Sequence, residues 1–131
     1  MPRWYDVRTA ALVTHASVKW IDNLLSRYRL PGVEQGRQGI SRRISEDGLL
    51  CIELTRLLNR RLRVPLVQAT RIVIGMFADA ADGSTCIAIA DGVELMIEFD
   101  RVRHGLHNRI VLAMESSTHV RRGRPLRNSS P

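Results

Sequence analysis

A chain of 131 residues, 44% of them hydrophobic, can bury one core and is too short for several domains of ordinary size. No apolar run approaches the roughly 18 residues of a membrane span, and the start lacks the basic-then-apolar order of a secretory signal; a cytoplasmic protein with no membrane contact is expected. The formal charge of +7 points to polyanions more than to acidic substrates.

That charge is segregated. Residues 1–71 carry thirteen Arg or Lys against six acids, residues 72–100 six acids and no base, and residues 101–131 seven Arg against one acid. A nucleic acid attracts such ends and repels such a middle. Nineteen of the twenty bases are Arg, whose planar fork suits phosphate and guanine edges.

Asp6 is placed to cap a first helix over 7–13. Thr14-His15-Ala16 then makes a turn, and Ser17 caps a second helix over 18–28. Ala11, Val18, Ile21, Leu24, Leu25 and Tyr28 fall on the inward spacing. Lys19, Trp20, Asn23 and Arg27 fall outside it. Pro31 and Gly32 stop the helix.

Residues 33–44 read as a hairpin whose tip is Gly36-Arg37-Gln38-Gly39. Arg37, Arg42 and Arg43 make it basic. Ser45-Glu46-Asp47 opens a third helix with a capping hydroxyl and two acids at the positive end of the dipole. Its apolar stripe is Leu50, Leu54, Leu57, Leu58 and Leu62, with Glu53, Arg56, Arg60 and Arg63 on the other face.

Pro65 opens a fourth helix over 66–77, with Val67, Thr70 or Arg71, and Ile74 on one face. A polar linker over 79–84 is the expected boundary. A second hairpin is centred on Asp91-Gly92. A three-residue loop with Gly92 left-handed pairs Ile89 with Val93 and Ile87 with Leu95, which gives one wholly apolar face; a two-residue turn does not. Asp100 caps a last helix over 101–115, with Val102, Leu106, Ile110 and Ala113 or Met114 inward. The tail over 119–131, rich in Arg, Gly, Pro and Ser, is expected to be disordered.

The order helix, turn, helix, hairpin, Ser-capped helix resembles the MerR-like winged helix-turn-helix superfamily. The residues that carry the likeness are Ser17-Val18-Lys19 at the second helix and Arg42-Arg43-Ile44-Ser45-Glu46-Asp47 between wing and third helix. The stretch over 66–77 is similar to the helix that completes such a domain. Asp22 and Asn23 stand where those regulators usually have an Arg and a Tyr, Ile40 replaces an aromatic of the wing, and His15 sits where Gly is common. No Cys-based metal loop is present, so metal sensing is not implied.

The expected fold is mainly α with small β, a winged helix-turn-helix at 1–78 followed by a β-hairpin and helix at 79–118 and the basic tail at 119–131. The expected function is binding of double-stranded DNA by a bacterial or phage transcription regulator or architectural factor. Ser17, Lys19, Trp20, Asn23 and Arg27 would read the major groove, and the wing residues Arg37, Gln38, Arg42 and Arg43 would meet phosphates or the minor groove. Arg122-Gly123-Arg124-Pro125 is similar to a minor-groove hook, against which stands a plain basic tail. The alternative is a protein-interaction module, an antitoxin or anti-activator, on the same scaffold. The hairpin and last helix, 85–115, either form a homodimer or fold back on the first domain.

No enzyme, metal site or cofactor is expected. There is no phosphate-binding glycine loop and no Ser–His–acid arrangement, His104 and His107 lack further ligands, and Cys51 and Cys86 read as buried free thiols.

Overall fold

The computed structural model describes residues 3–36, 41–79 and 84–129, with backbone alone at 79, 84–85 and 116–129. It is mainly helical, with two small antiparallel sheets. Among the described residues no helix is long and apolar enough to cross a membrane.

The first two helices, α1 (Val7–Thr14) and α2 (Val18–Arg27), start where their caps dictate. The Asp6 carboxylate accepts from Thr9 N at 2.8 Å, and Ser17 Oγ from Trp20 N at 3.0 Å, each satisfying an amide that the helix start leaves unpaired. His15 ends α1 in the left-handed conformation, φ 59°, which explains why a glycine would also suit that position. The tight turn brings Ala10, Val13 and Thr14 against Ile21, Leu24 and Leu25, all buried. The buried stripe is narrower than the sequence spacing suggests. Val18 is exposed, and Ala11 and Tyr28 are only half-buried.

Gly32 and Gly48 decide how the next connection runs. Gly32 adopts φ 79°, and a Cβ there would lie 2.4 Å from Gly48 N, while one on Gly48 would lie 2.6 Å from Gly32 O. The close crossing lets Ser45 N and Oγ both donate to Gly32 O, at 2.8 and 2.9 Å. Strands β1 (Val33–Glu34) and β2 (Arg43–Ile44) pair as Val33 with Ile44 and Glu34 with Arg43. Tyr5 bridges the far side of Ile44 through bonds of 2.7 and 2.9 Å.

The third helix, α3 (Glu46–Arg56), begins at Ser45, whose Oγ accepts from Gly48 N. It is the centre of the molecule. Gly48 to Thr55 are all buried, because α1 packs on one side and the later helices on others. The expected polar face therefore fails at Glu53, which lies inside. Beyond Arg56 the helix widens into a π-helical turn, Leu57–Arg61. Arg63 closes it in the left-handed conformation, φ 57°, Val64 N donates to Leu58 O at 3.0 Å, and Asn59 Nδ2 donates to Val64 O at 2.9 Å. The extra residue in that turn rotates the side chains around it, so that Leu58 is buried, Leu57 half-buried and Leu62 exposed.

In α4 (Leu66–Asp79) the inward residues are Ala69, Thr70, Val73 and Met76. Of the expected face only Thr70 is inward. Val67 and Ile74 are exposed, since Thr70 can be buried at little cost by donating its hydroxyl to Leu66 O and Val67 O.

Strands β3 (Ser84–Ala90) and β4 (Val93–Glu98) form the second hairpin. Ile87 faces Leu95 as expected, but Ala90, not Ile89, pairs with Val93, and the register shifts between Ala88 and Ala90. The turn is thus the two-residue one, with Gly92 at φ 78°. A bulge at Ile89 restores the apolar register that the turn alone would have lost. Cys86 is exposed on the outer face, in place of the expected burial, and Cys51 is buried.

The last helix, α5 (Phe99–Ser129), starts directly after β4. Leu106, Ile110 and Ala113 join the same core as Ala10 and Leu50. Phe99 meets Phe77 edge-on, with ring centroids 5.4 Å apart. The linker at 79–84 is therefore no core boundary, and α5 folds back on the chain's own α1 and α3. The helical backbone is described to Ser129.

Candidate nucleic-acid interface

The exposed side of α2 carries Lys19, Asn23 and Arg27 at four-residue steps, so the three side chains lie along one face. Neither Lys19 nor Arg27 has an ion-pair partner among the described residues. Ser17 differs: its hydroxyl is occupied as the cap. Trp20 also differs, being half-buried against the core. Its indole belongs to the packing that orients α2.

Arg42, expected as a phosphate contact, is already engaged. Its Nη1 donates to Asp22 Oδ1 at 2.9 Å, Nη2 to Ser26 Oγ at 2.9 Å and Nε to Gln35 Oε1 at 3.1 Å. Gln35 Nε2 in turn donates to Leu25 O at 3.1 Å, and Ser26 Oγ to Asp22 O at 2.7 Å. Two nitrogens of the guanidinium thus tie the hairpin to α2 directly, and Nε does so through Gln35. The Asp22 carboxylate is an anchor of the hairpin.

Arg43 remains half-exposed. Its guanidinium lies 4.5 Å from the centroid of the Trp4 ring and 3.7 Å from Glu34 Oε1, a stacked cation with its charge still open to solvent. Trp4 is half-buried, serving as a platform as well as an edge of the core. Beside these residues a cleft of about 480 Å³ opens between the start of α1 and the hairpin, lined by Arg8, Asp22, Ser41 and Arg42 among others.

Arg37 and Gln38 lie outside the described residues. Arg122 and Arg124 fall within the helical backbone of α5 and outside the residues whose side chains are described. Among the described residues no three His, Cys, Asp or Glu side chains converge as metal ligands, and His107 Nδ1 lies 3.3 Å from Glu46 Oε1.

Sequence reasoning missed Asp22, Ser26 and Gln35 as anchors of the hairpin. Arg42 lies 20 residues from Asp22, and no local spacing rule couples positions so far apart. Neither a protein-family model nor a curated protein matches the chain.

Proposed function

We propose that the chain binds double-stranded DNA as a MerR-like winged helix-turn-helix protein, laying α2 in the major groove with the β1–β2 hairpin as its wing. One observation carries this reading: the exposed Lys19–Asn23–Arg27 face of α2 is tied beside a hairpin rich in Arg by the Arg42 bonds to Asp22 and Ser26. Lys19 lies in the first turn of α2, Asn23 offers the donor–acceptor pair that suits an adenine edge, Arg27 supplies open charge, and Arg43, paired with Glu34 but half-exposed, adds to it. Arg42 is a positioning residue in this account. A role in transcription or in DNA architecture follows from that activity.

Fluorescence anisotropy with labelled duplexes across a salt series tests the proposal. Neutralising Lys19, Arg27 and Arg43 should weaken all duplexes and make the salt slope shallower by about 0.9 for each phosphate no longer neutralised. Arg42→Ala should weaken binding with an unchanged slope. Asn23→Ala should cost about 1–3 kcal/mol at a selected site and much less on random sequence. Absence of salt-dependent duplex binding by the intact chain would end this reading.

A further inference from the structure

We propose that the groove between the π-helical turn and β4 is a binding site for a small monocarboxylate with an extended aliphatic chain, a medium-chain fatty acid in its simplest form. The groove has a volume of about 430 Å³, inside the range of roughly 300–1,000 Å³ that small-molecule sites occupy. Three elements build it: the end of α3 with its π-helical turn, residues 95–98 of β4, and the first turn of α5.

The lining suits an aliphatic chain. Leu54, Leu57, Leu58, Leu95, Ile97 and Val102 contribute to it, and no aromatic side chain does. Leu62 and Met96, also on the groove, are 52% and 60% exposed, apolar surface that a ligand would take out of water. Four successive residues of β4 follow the groove for about 10 Å, the span of an extended chain of about eight to ten carbons.

The charges suit one carboxylate and no more. The lining holds three charged side chains, Arg61, Glu98 and Arg101. Arg101 Nη1 lies 3.4 Å from Glu98 Oε2, so that pair cancels, and the exposed Glu94 is not part of the lining. Arg61 has no ion-pair partner among the described residues. Its planar fork can take one carboxylate in two parallel bonds. A second carboxylate would meet no free cation in the groove, and a cationic head group would be repelled by Arg61.

The backbone supplies a separate observation. Leu57, Leu58 and Arg61 all belong to the π-helical turn Leu57–Arg61, a rare departure from α geometry that recurs at functional sites. One short stretch thus brings both apolar contacts and the cation to the groove.

A heteronuclear NMR titration with decanoate, kept below its micelle concentration, tests the site. The methyl signals of Leu58, Leu62 and Val102 should shift saturably with a Kd below about 1 mM, and the unfolding midpoint should rise with ligand concentration. Hexanoate should bind at least tenfold more weakly, because each fully buried CH₂ is worth about 0.8 kcal/mol, a factor of about four. Decylammonium should also bind at least tenfold more weakly than decanoate. Arg61→Gln should erase that preference with an unchanged circular dichroism spectrum, since the side chain is exposed. Shifts centred on other methyls, equal affinity for hexanoate and decanoate, a preference for decanoate that survives in Arg61→Gln, a midpoint that falls as with a detergent, or no saturable binding below that limit would each overturn the assignment.

Discussion

Replacing Arg109 by Ala should separate α5 from the body it packs on. Its Nε donates to Val13 O at 2.9 Å and its Nη2 to Glu53 Oε2, so one side chain joins α5 to the end of α1 and to the middle of α3. The other oxygen of Glu53 accepts from Arg56 Nε and Nη2 at 3.1 and 2.9 Å. Breaking a buried pair costs about 3–5 kcal/mol, because the remaining charge is left unpaired. Two features reduce that cost: the Arg109 side chain is 33% exposed, so water replaces part of what it loses, and Arg56 still neutralises Glu53. The expected loss is about 3 kcal/mol, the low end of that range. With a urea m-value of about 2 kcal/mol/M the midpoint should fall by about 1.5 M at constant m. Glu53→Gln should cost less, since the amide oxygen still accepts, and the double variant should show a coupling of at least about 1.5 kcal/mol. A loss below about 1 kcal/mol for Arg109→Ala, small against the 3–5 kcal/mol of a buried pair, would mean that apolar contacts alone hold α5, and the reasoning from the buried carboxylate would be wrong.

Three further outcomes depend on single side chains. Thr55 Oγ1 is buried with no hydrogen-bond partner among the described residues, so Thr55→Val should raise stability by about 1 kcal/mol in urea denaturation; a decrease would show that the hydroxyl is satisfied. Burial pushes the Cys51 thiol up, with Asp47 adding to the effect, whereas Cys86 is exposed. At pH 8 a disulfide reagent should therefore label one thiol quickly and the second only on unfolding, and Cys86→Ala should abolish the fast phase. The Thr9 amide bonded to Asp6 lowers its carboxyl from the ordinary 3.8, so the cap contributes fully above that value and is lost as pH falls through the lower folded value. Asp6→Ala should cost about 1 kcal/mol at pH 7, while Asp6→Asn should keep most of the cap and flatten the acid limb of the stability curve; an unchanged acid limb in Asp6→Asn would assign the effect to other groups.

The candidate interface was legible where it depends on local rules. The Asp6 and Ser17 caps set where α1 and α2 begin, and the four-residue spacing of Lys19, Asn23 and Arg27 set which side chains leave the core side of α2. The role of Arg42 was not legible. Its expected phosphate contact assumes that a basic residue on a hairpin faces solvent, and the side chains of Asp22, Ser26 and Gln35 supply three acceptors instead. Trp20 falls between stripe and surface for the same reason: position on a helix gives an angle, while the depth of the neighbour decides exposure.

What the sequence by itself determined were features governed by chemistry within a few residues: capped starts at Asp6, Ser17 and Ser45, the left-handed turns at Gly32 and Gly92, and the helix–turn–helix–hairpin–helix order. Only the tertiary structure decided the faces. The stripe of Leu50, Leu54 and Leu58 points Glu53 outward, yet α3 is covered on several sides, and a residue's burial is the sum of neighbours that come from distant parts of the chain. The second hairpin shows the same division in small. The Asp91-Gly92 turn and the alternating apolar residues each favour a different register, and the structure satisfies both with a bulge at Ile89, because packing Ile87, Leu95 and Ile97 toward the body is worth more than one unpaired strand residue.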